Sequence, residues 1–221
     1  MFNTDVYIPS LIKLLKVAYR ERLLYVGLQG SYLRGEATEN SDIDIMVVIR
    51  DMSVADLAKY KEAISSLEDY DKSCGFICGI EELKNWNPLE ICHLLHTTKD
   101  YYGKLTELVP EYTKNDVRNF VKMSLGNLYH EICHRYIHAP KEKSIDKLPF
   151  TYRSVFFILQ NLYYLDNGKF VDTKNELCEV LFGNDKLVLE TAISLSNGTE
   201  FDFDEAFNLL FAWCKETMIR I

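Results

Sequence analysis

Two short apolar runs separated by a fixed gap constrain the fold of this 221-residue chain most strongly. LLYVGL at 23–28 and DIDIMVVI at 42–49 have the length and apolar content of buried strands, and the second is rich in β-branched residues. The gap opens with Gly30 and Ser31, a pair that suits a tight turn into a short helical segment, and it closes with a polar loop. This order predicts strand, glycine turn, helical turn and strand within one small α/β sheet.

The second run opens with two carboxylates, Asp42 and Asp44. Alternate residues of a strand face the same side, and their α-carbons lie roughly 6.5–7 Å apart. Two carboxylates at that spacing raise each other's pKa unless a cation lies between them. Mg²⁺ takes a few carboxylate oxygens and completes its octahedron with water and substrate phosphates. The pair therefore predicts a Mg²⁺ site and, through the phosphates, a nucleotide.

The glycine turn predicts the phosphate-binding side of the same site. Gly30 permits a close approach by phosphate, and the Ser31 hydroxyl and the amides of the following turn can donate to phosphate oxygens. Arg34, one turn later, is placed to add positive charge toward a triphosphate or to pack against the acidic strand. Ser41 has two open roles, phosphate binding or capping of the loop.

The whole stretch resembles the G-S-x-x-R-G-x-A-x-x-x-S-D-I-D signature of the polymerase-β-like nucleotidyltransferase superfamily. The residues that carry the resemblance are Gly30, Ser31, Arg34, Gly35, Ala37, Ser41, Asp42, Ile43 and Asp44. The resemblance implies Mg²⁺-dependent transfer of a nucleoside monophosphate from an NTP, expected to be ATP, to a hydroxyl, with release of pyrophosphate. It implies that Asp42 and Asp44 are the catalytic residues and hold two metal ions. Gly30, Ser31, Arg34 and Ser41 would bind the nucleotide.

The neighbouring strand departs from the family pattern. The superfamily places a third carboxylate there, as metal ligand or general base, but the matching segment KSCGFICGI at 72–80 carries no acid. Asp71, Glu81 and Glu82 flank it and are the candidates for a general base. The departure leaves two alternatives open: a transferase that works with two acids, and a weak or inactive binding protein of the same fold, such as an antitoxin-like partner.

The pattern of predicted secondary structure changes near residue 110, and this change predicts two domains. Helical patterns and strand patterns alternate before that point, whereas only helical patterns follow it. We expect an α+β protein in which a small mixed-sheet nucleotidyltransferase domain at 1–108 precedes a helical bundle at 109–221 that binds the acceptor or a partner. The predicted helices lie at 9–22 with Ser10 as N-cap, 53–69, 88–98, 115–138, 150–166, 173–182, 185–196 and 203–219, with further strands at 73–80 and 100–105 and a turn at 138–143.

The helical half adds a second, looser resemblance. FFILQNLYYLDNGKFVDTKNEL at 156–177 resembles the C-terminal helical domain of aminoglycoside nucleotidyltransferases. This implies that Lys174 faces an interdomain cleft near the triphosphate, and a solvated lysine in the first turn of a helix is the open alternative. The expected acceptor is a small hydroxylated molecule, of which an aminoglycoside is one example. Transfer of AMP to a protein hydroxyl stays open as well, since the donor site would look the same.

HEICH at 130–134 matches H-E-x-x-H, the pattern of zinc metalloproteases. His130 and His134 share a helix face, with Glu131 between them, and His138 continues that face along the same helix. A protease of this kind takes its third zinc ligand from a segment that follows a turn after the helix. The protease interpretation also leaves the motif from Gly30 to Asp44 unexplained. We therefore expect a polar face of a helix, with an adventitious metal site as the stronger of the two metal interpretations.

Composition limits the partners and the compartment. The formal net charge is −8 and no strongly basic segment is present, so no DNA partner is expected, while a cationic small molecule fits. We see no secretory signal and no uncharged apolar run long enough to span a bilayer, and we expect a cytoplasmic protein with no membrane association. In that compartment the six cysteines should be reduced and buried. A homodimer or a partner protein remains open.

Overall fold

The computed structural model describes residues 3–221 and divides them into two compact units. One unit extends to Tyr112, and the other is Thr113–Ile221. The first contains a mixed four-stranded sheet with helices, and the second contains helices only. The predicted α+β class is confirmed.

The sheet of the first unit has the strand order β3-β2-β1-β4. β2 runs antiparallel to β1 and parallel to β3, and β4 pairs antiparallel with β1. The strands are β1 Leu23–Leu28, β2 Ile43–Ile49, β3 Ser73–Gly79 and β4 Lys99–Tyr102. The helices are α1 Thr4–Tyr19, α2 Gly30–Arg34, α3 Val54–Ser65, α4 Ile80–Lys84 and α5 Pro88–His96, and short 3-10 turns lie at Arg20–Arg22, Tyr70–Lys72 and Leu105–Glu107.

Apolar side chains cover both faces of this sheet, which explains why β1 and β2 read as nearly continuous hydrophobic runs. One face packs against α1, in a cluster that includes Leu11 and Leu15 of the helix and Ile45 and Val47 of β2. The other face forms a smaller cluster around Tyr25, Met46, Val48, Leu83 and Leu105. Every residue of β2 is buried except Asp44, which is half-buried. A carboxylate at that position is therefore the exception in an otherwise apolar strand.

The second unit packs its helices around the aromatic and aliphatic face of α8. Its core includes Tyr152, Phe156 and Trp213, all nearly inaccessible to solvent. The helices are α6 Lys114–His138, α7 Lys141–Thr151, α8 Arg153–Asn167, α9 Lys174–Val180, α10 Gly183–Ser196 and α11 Phe203–Arg220.

Several predicted boundaries were wrong. α1 begins at Thr4, because the Asn3 side chain accepts the Asp5 amide at 3.0 Å and caps the helix there. Ser10 lies inside α1, where its hydroxyl donates to the Val6 carbonyl at 2.9 Å. Most of the turn predicted at 138–143 lies in helices, since α6 extends to His138 and α7 starts at Lys141, directly after Pro140.

Across residues 3–221, no helix combines the length and the apolar character that a membrane span requires.

Candidate active site

The end of β1 and the start of β2 bring Gly30 and Asp44 together. Leu28 pairs with Ile45, and the Gln29 amide donates to the Asp44 carbonyl at 2.8 Å. α2 begins at the next residue, Gly30, with a φ of +71°. A β-carbon on Gly30 would collide with the Asp44 carboxylate. Only glycine therefore allows that carboxylate to lie against the opening turn of α2.

The Asp44 carboxylate lies in an environment that disfavours its charge. Burial raises its pKa, a hydrogen bond with the Cys74 side chain lowers it, nearby Asp42 raises it and Arg34 lowers it, with the net shift upward. Asp42 itself is exposed and lies immediately before β2, so the predicted strand began one residue too early. Within the described part of the chain, Asp44 forms no ion pair. A cation supplied from outside the chain would stabilise the charged form.

Cys74 lies beside Asp44 on the adjacent strand, a placement that the sequence did not reveal. β3 runs parallel to β2 in continuous register, and that register pairs Asp44 with Cys74. Gly75 has a φ of +105° and lets β3 lie very close to β2. A side chain at position 75 would collide with the backbone of Ile45. Cys74 is exposed as a residue, unlike the buried cysteine that composition predicted. Partial desolvation of its thiol and the nearby Asp44 and Asp42 carboxylates raise the thiol pKa. A thiol therefore occupies the position on the neighbouring strand where a third carboxylate was sought.

The other predicted residues of the motif lie on α2 and the loop that follows it. Ser31 is half-buried on α2, and its carbonyl accepts the Glu36 amide at 2.9 Å. The Arg34 guanidinium pairs with the Glu36 carboxylate at 2.9 Å, and both side chains are largely buried. The Ser41 hydroxyl accepts the Thr38 amide at 2.8 Å, so in this structure it caps the loop.

Lys174 belongs to the helical unit. It is the first residue of α9, and its ammonium lies 5.9 Å from the centre of the Phe156 ring. Its role at a nucleotide stays a prediction.

The three candidates for a general base lie at different ends of β3. Asp71 is in the 3-10 turn that precedes this strand, at the end where Cys74 meets Asp44. Glu81 and Glu82 follow the strand, and Glu81 pairs with Lys84 at 2.9 Å. Five residues of strand, about 16 Å, separate Cys74 from the far end of β3. Asp71 is therefore the candidate at the correct end of the sheet.

His93 on α5 is a further group near the motif that the sequence pattern did not indicate. Burial, together with the charges of Arg34 and His96, lowers the pKa of His93 to about 4, and the effect of Arg34 places the imidazole near α2. The segment after α5 is also tied to the motif, because the Gln29 side-chain amide donates to the Thr98 hydroxyl at 2.8 Å. His93 is therefore a neutral imidazole at physiological pH.

A groove of about 950 Å³ opens beside α2 and the loop at 36–42. Its wall carries the carboxylates Glu39 and Asp69, the aromatic Tyr32 and the ammonium of Lys72. The Lys72 ammonium donates to the Glu39 carbonyl at 3.2 Å and so joins the two loops that border the groove. The groove has the size of a site for a small molecule.

The donor set suits a magnesium ion that arrives with its phosphates. Among residues 3–221, no group of three or more His, Cys, Asp and Glu side chains is arranged to hold a metal ion. Mg²⁺ commonly takes only one or two protein carboxylates and fills its other positions with water and substrate phosphates. Asp42 and Asp44, with the second lacking an ion-pair partner, fit that mode of binding.

The sequence matches a known protein family and individual proteins. Residues 12–90 match the nucleotidyltransferase domain. A candidate protein adenylyltransferase of Methanocaldococcus jannaschii is 34% identical over 77 residues, which are 32% of this chain and 77% of that protein. A second candidate protein adenylyltransferase of the same organism is 45% identical over 56 residues, 25% of this chain and 54% of that protein. The chain belongs to the nucleotidyltransferase domain family.

A solved structure extends the likeness to both units. Spectinomycin adenyltransferase AAD(9) from Enterococcus faecialis, crystallised with ATP and spectinomycin, aligns over 98% of this chain and 100% of its own length, with a TM-score of 0.61. The sequence identity is 18%, so the likeness shows the fold. The predicted layout, a nucleotidyltransferase domain followed by helices as in aminoglycoside nucleotidyltransferases, is confirmed.

Proposed function

We propose that this protein transfers AMP from Mg²⁺-bound ATP to a hydroxyl group and releases pyrophosphate. The observation that carries the proposal is the Asp44 carboxylate, held against the glycine turn at Gly30 with a raised pKa and no ion pair in the described chain. An external divalent cation would stabilise the charged form of such a carboxylate. Asp42, two residues earlier and exposed, is the second carboxylate of the proposed metal site.

In the proposed reaction, Asp42 and Asp44 hold the metal, and the turn at Gly30 and Ser31 holds the phosphates. When bound, Mg²⁺ neutralises charge on the triphosphate and lowers the pKa of the acceptor hydroxyl. The acceptor oxygen forms a bond to the α-phosphorus as the bond from that phosphorus to the pyrophosphate oxygen breaks. The acceptor proton passes to a base, and Asp71 is our candidate on the ground of its position before β3.

Three further residues are assigned to the nucleotide. Arg34, fixed by its ion pair with Glu36, would direct positive charge toward the triphosphate. Lys174 keeps the nucleotide-binding role that the resemblance implies, and Ser41 would exchange its bond to the Thr38 amide for a phosphate oxygen.

The first candidate acceptor is a small hydroxylated cation, such as an aminoglycoside. Two observations support it: the fold likeness to a spectinomycin adenyltransferase along the whole chain, and the carboxylates Glu39 and Asp69 in the groove beside α2. The groove wall carries two carboxylates and one ammonium, that of Lys72, which already donates to the Glu39 carbonyl. This excess of negative charge favours a ligand that carries amines as well as hydroxyls. We assign this groove to the acceptor.

The second candidate acceptor is a hydroxyl on a protein. It is favoured by the two candidate protein adenylyltransferases, whose matches to this chain have 34% and 45% identity. The absence of an acid on β3 favours the remaining alternative, a catalytically weak or inactive, antitoxin-like protein of the nucleotidyltransferase fold that binds a nucleotide or a partner protein.

Nucleotide binding is tested first by titrating ATP, GTP, CTP and UTP into the protein by calorimetry, with and without Mg²⁺. We expect Mg²⁺-dependent ATP binding that the Asp42→Asn/Asp44→Asn variant loses. The matched control, Asp146→Asn/Asp166→Asn, removes two exposed aspartates of the helical unit and should bind as the wild type does. Absence of any nucleotide binding in the wild type would overturn the proposal.

The acceptor is then tested with ATP labelled at the α-phosphorus. Label that moves with spectinomycin or an aminoglycoside supports the first candidate, and label in protein supports the second. Mg²⁺-dependent binding of ATP with no label in either fraction would leave the binding protein as the correct alternative.

A further inference from the structure

We propose that the exposed face of α6 binds a divalent transition metal ion, Zn²⁺, Ni²⁺ or Cu²⁺, through pairs of histidines one helical turn apart. The residues are His130, His134 and His138, at successive intervals of four along the helix. Histidines at i and i+4 lie on one face of a helix and can bind one ion together. The proposal concerns the helical unit and does not depend on the proposed transferase activity.

The three rings form a row with spacings that suit chelation. The ring centres of His130 and His134 are 5.8 Å apart, and those of His134 and His138 are 4.8 Å apart. Two nitrogens bound to one Zn²⁺ at about 2.0–2.1 Å lie roughly 3.3 Å from each other in a tetrahedral site. Rotation of the imidazoles about their side-chain bonds brings neighbouring rings to that separation without moving the helix.

The imidazoles are accessible and not engaged elsewhere. All three residues are exposed, on the side of α6 opposite to the buried Leu128 and Ile132. In the described part of the chain, their contacts are the ring contacts within the row, and none of the three forms a hydrogen bond or an ion pair. Their nitrogens are therefore free to bind an ion at a pH where imidazole is neutral.

The row differs from a protease site in the role of its glutamate. The Glu131 carboxylate accepts a hydrogen bond from the Thr151 hydroxyl at 2.9 Å and lies 3.8 Å from the Arg135 guanidinium. These partners hold Glu131 against α7 and its own helix, so it is not available as a general base for a metal-bound water. The metalloprotease interpretation is not supported by this geometry.

Each pair supplies two ligands, and the other coordination positions are open to water. This agrees with the finding that no group of three or more metal-binding side chains converges within residues 3–221. The middle residue, His134, belongs to both pairs, whereas His130 and His138 belong to one each. That asymmetry gives the proposal its test. Imidazole suits Zn²⁺, Ni²⁺ and Cu²⁺, whereas Mg²⁺ takes oxygen ligands, so an excess of Mg²⁺ does not compete.

The experiment is a calorimetric titration of the full chain with Zn²⁺ in the presence of excess Mg²⁺. His134→Gln removes both pairs, and it should weaken Zn²⁺ binding on the order of tenfold or more. His130→Gln and His138→Gln each leave one pair, and each should bind nearly as the wild type does. The double variant His130→Gln/His138→Gln leaves no pair and should match His134→Gln. The control His96→Gln changes an exposed histidine of α5 and should have no effect.

Three results would overturn the proposal. The first is a wild type that does not bind Zn²⁺. The second is a His134→Gln variant that binds as the wild type does. The third is an equal loss in all three single variants, which would require a site built from three histidines. Circular dichroism of each variant shows whether α6 keeps its helicity, and because the substituted residues are exposed we expect no change.

Discussion

Asp44 and Asp56 lie near opposite ends of β2, and their environments are opposite too. The Asp56 carboxylate is buried, accepts two bonds of 2.9 Å from the Arg22 guanidinium, and also accepts the Ser53 amide and hydroxyl. These partners hold the pKa of Asp56 far below its usual range, whereas the pKa of Asp44 is raised. A carboxylate with a complete set of donors stabilises the fold, and one that lacks a cation is ready to bind one.

The largest expected effect comes from Asp44→Asn. If Asp44 holds the metal, the substitution removes several kcal/mol of transition-state stabilisation and lowers the AMP transfer rate roughly a hundredfold or more. The folded state should persist, because Asn keeps the shape of the side chain and relieves the buried charge. The measurement is pyrophosphate release together with thermal unfolding. If the Asp44→Asn variant unfolds more easily but keeps its transfer rate per folded molecule, Asp44 stabilises the fold, as Asp56 does, and does not hold the metal.

Asp56→Asn should do the opposite. It weakens the ion pair with Arg22 and the capping box at the start of α3, and we expect a loss of about 2 kcal/mol of unfolding free energy. Urea denaturation measures this loss, and the AMP transfer rate per folded molecule should be unchanged. A large fall in that rate would show that the two ends of β2 are not independent.

Cys74→Asp tests whether the proposed metal site is weakened by the missing third carboxylate. The substitution places a carboxylate opposite Asp44 in the β2–β3 register, and we expect Mg²⁺-dependent ATP affinity to rise by about tenfold, or 1.4 kcal/mol. Cys74→Asn has the same shape without the charge and serves as the control. Equal affinities in the two variants would contradict the expectation.

The smallest effect is the pH dependence of stability without metal. The native state holds the proton of Asp44 more tightly than the unfolded chain, so Asp44 destabilises the native state above about pH 3.9. Asp44→Asn should therefore raise stability at pH 7 by up to about 1 kcal/mol, and the gain should vanish on acidification. Asp56 has the opposite sign, so its contribution is present at pH 7 and is lost as the pH falls below about 3.9. Urea denaturation at pH 3, 5 and 7 in EDTA measures both.

The sequence predicted those features that depend on nearby residues. The turn at Gly30 and the acidic start of β2 lie within 15 positions, and their residue types specify their conformations. The position of Cys74 depends on parallel pairing between strands 30 residues apart, which no local pattern encodes. The Arg22–Asp56 pair spans 34 residues and was missed for the same reason.

The predictions of helix boundaries were wrong where two local sequence signals competed. Pro9 and Ser10 form a plausible helix start, but the Asn3 cap begins α1 earlier and accommodates the proline within the helix. α7 was missed because its first turns are highly charged and its buried contacts come from few positions, such as Leu148.

The two carboxylates of the proposed metal site lie on segments that are held by different numbers of bonds, Asp42 at the end of the loop at 36–42 and Asp44 in β2. Glu36 at the start of this loop is tied to Arg34 and Ser31 of α2, and beyond Glu36 the loop is held by the bonds between Thr38 and Ser41 and by the Lys72 contact at Glu39. Asp44, in contrast, is fixed in a central strand. Segments with so few bonds open at low free-energy cost, so amide hydrogen exchange should be fast near Asp42 and slow near Asp44. If both carboxylates hold the proposed metal ion, Asp44 would be the rigid ligand, and Asp42 would adjust its position to the bound substrate. In the proposed transferase, discrimination between substrates would then have an entropic component, set by how firmly each substrate immobilises this loop.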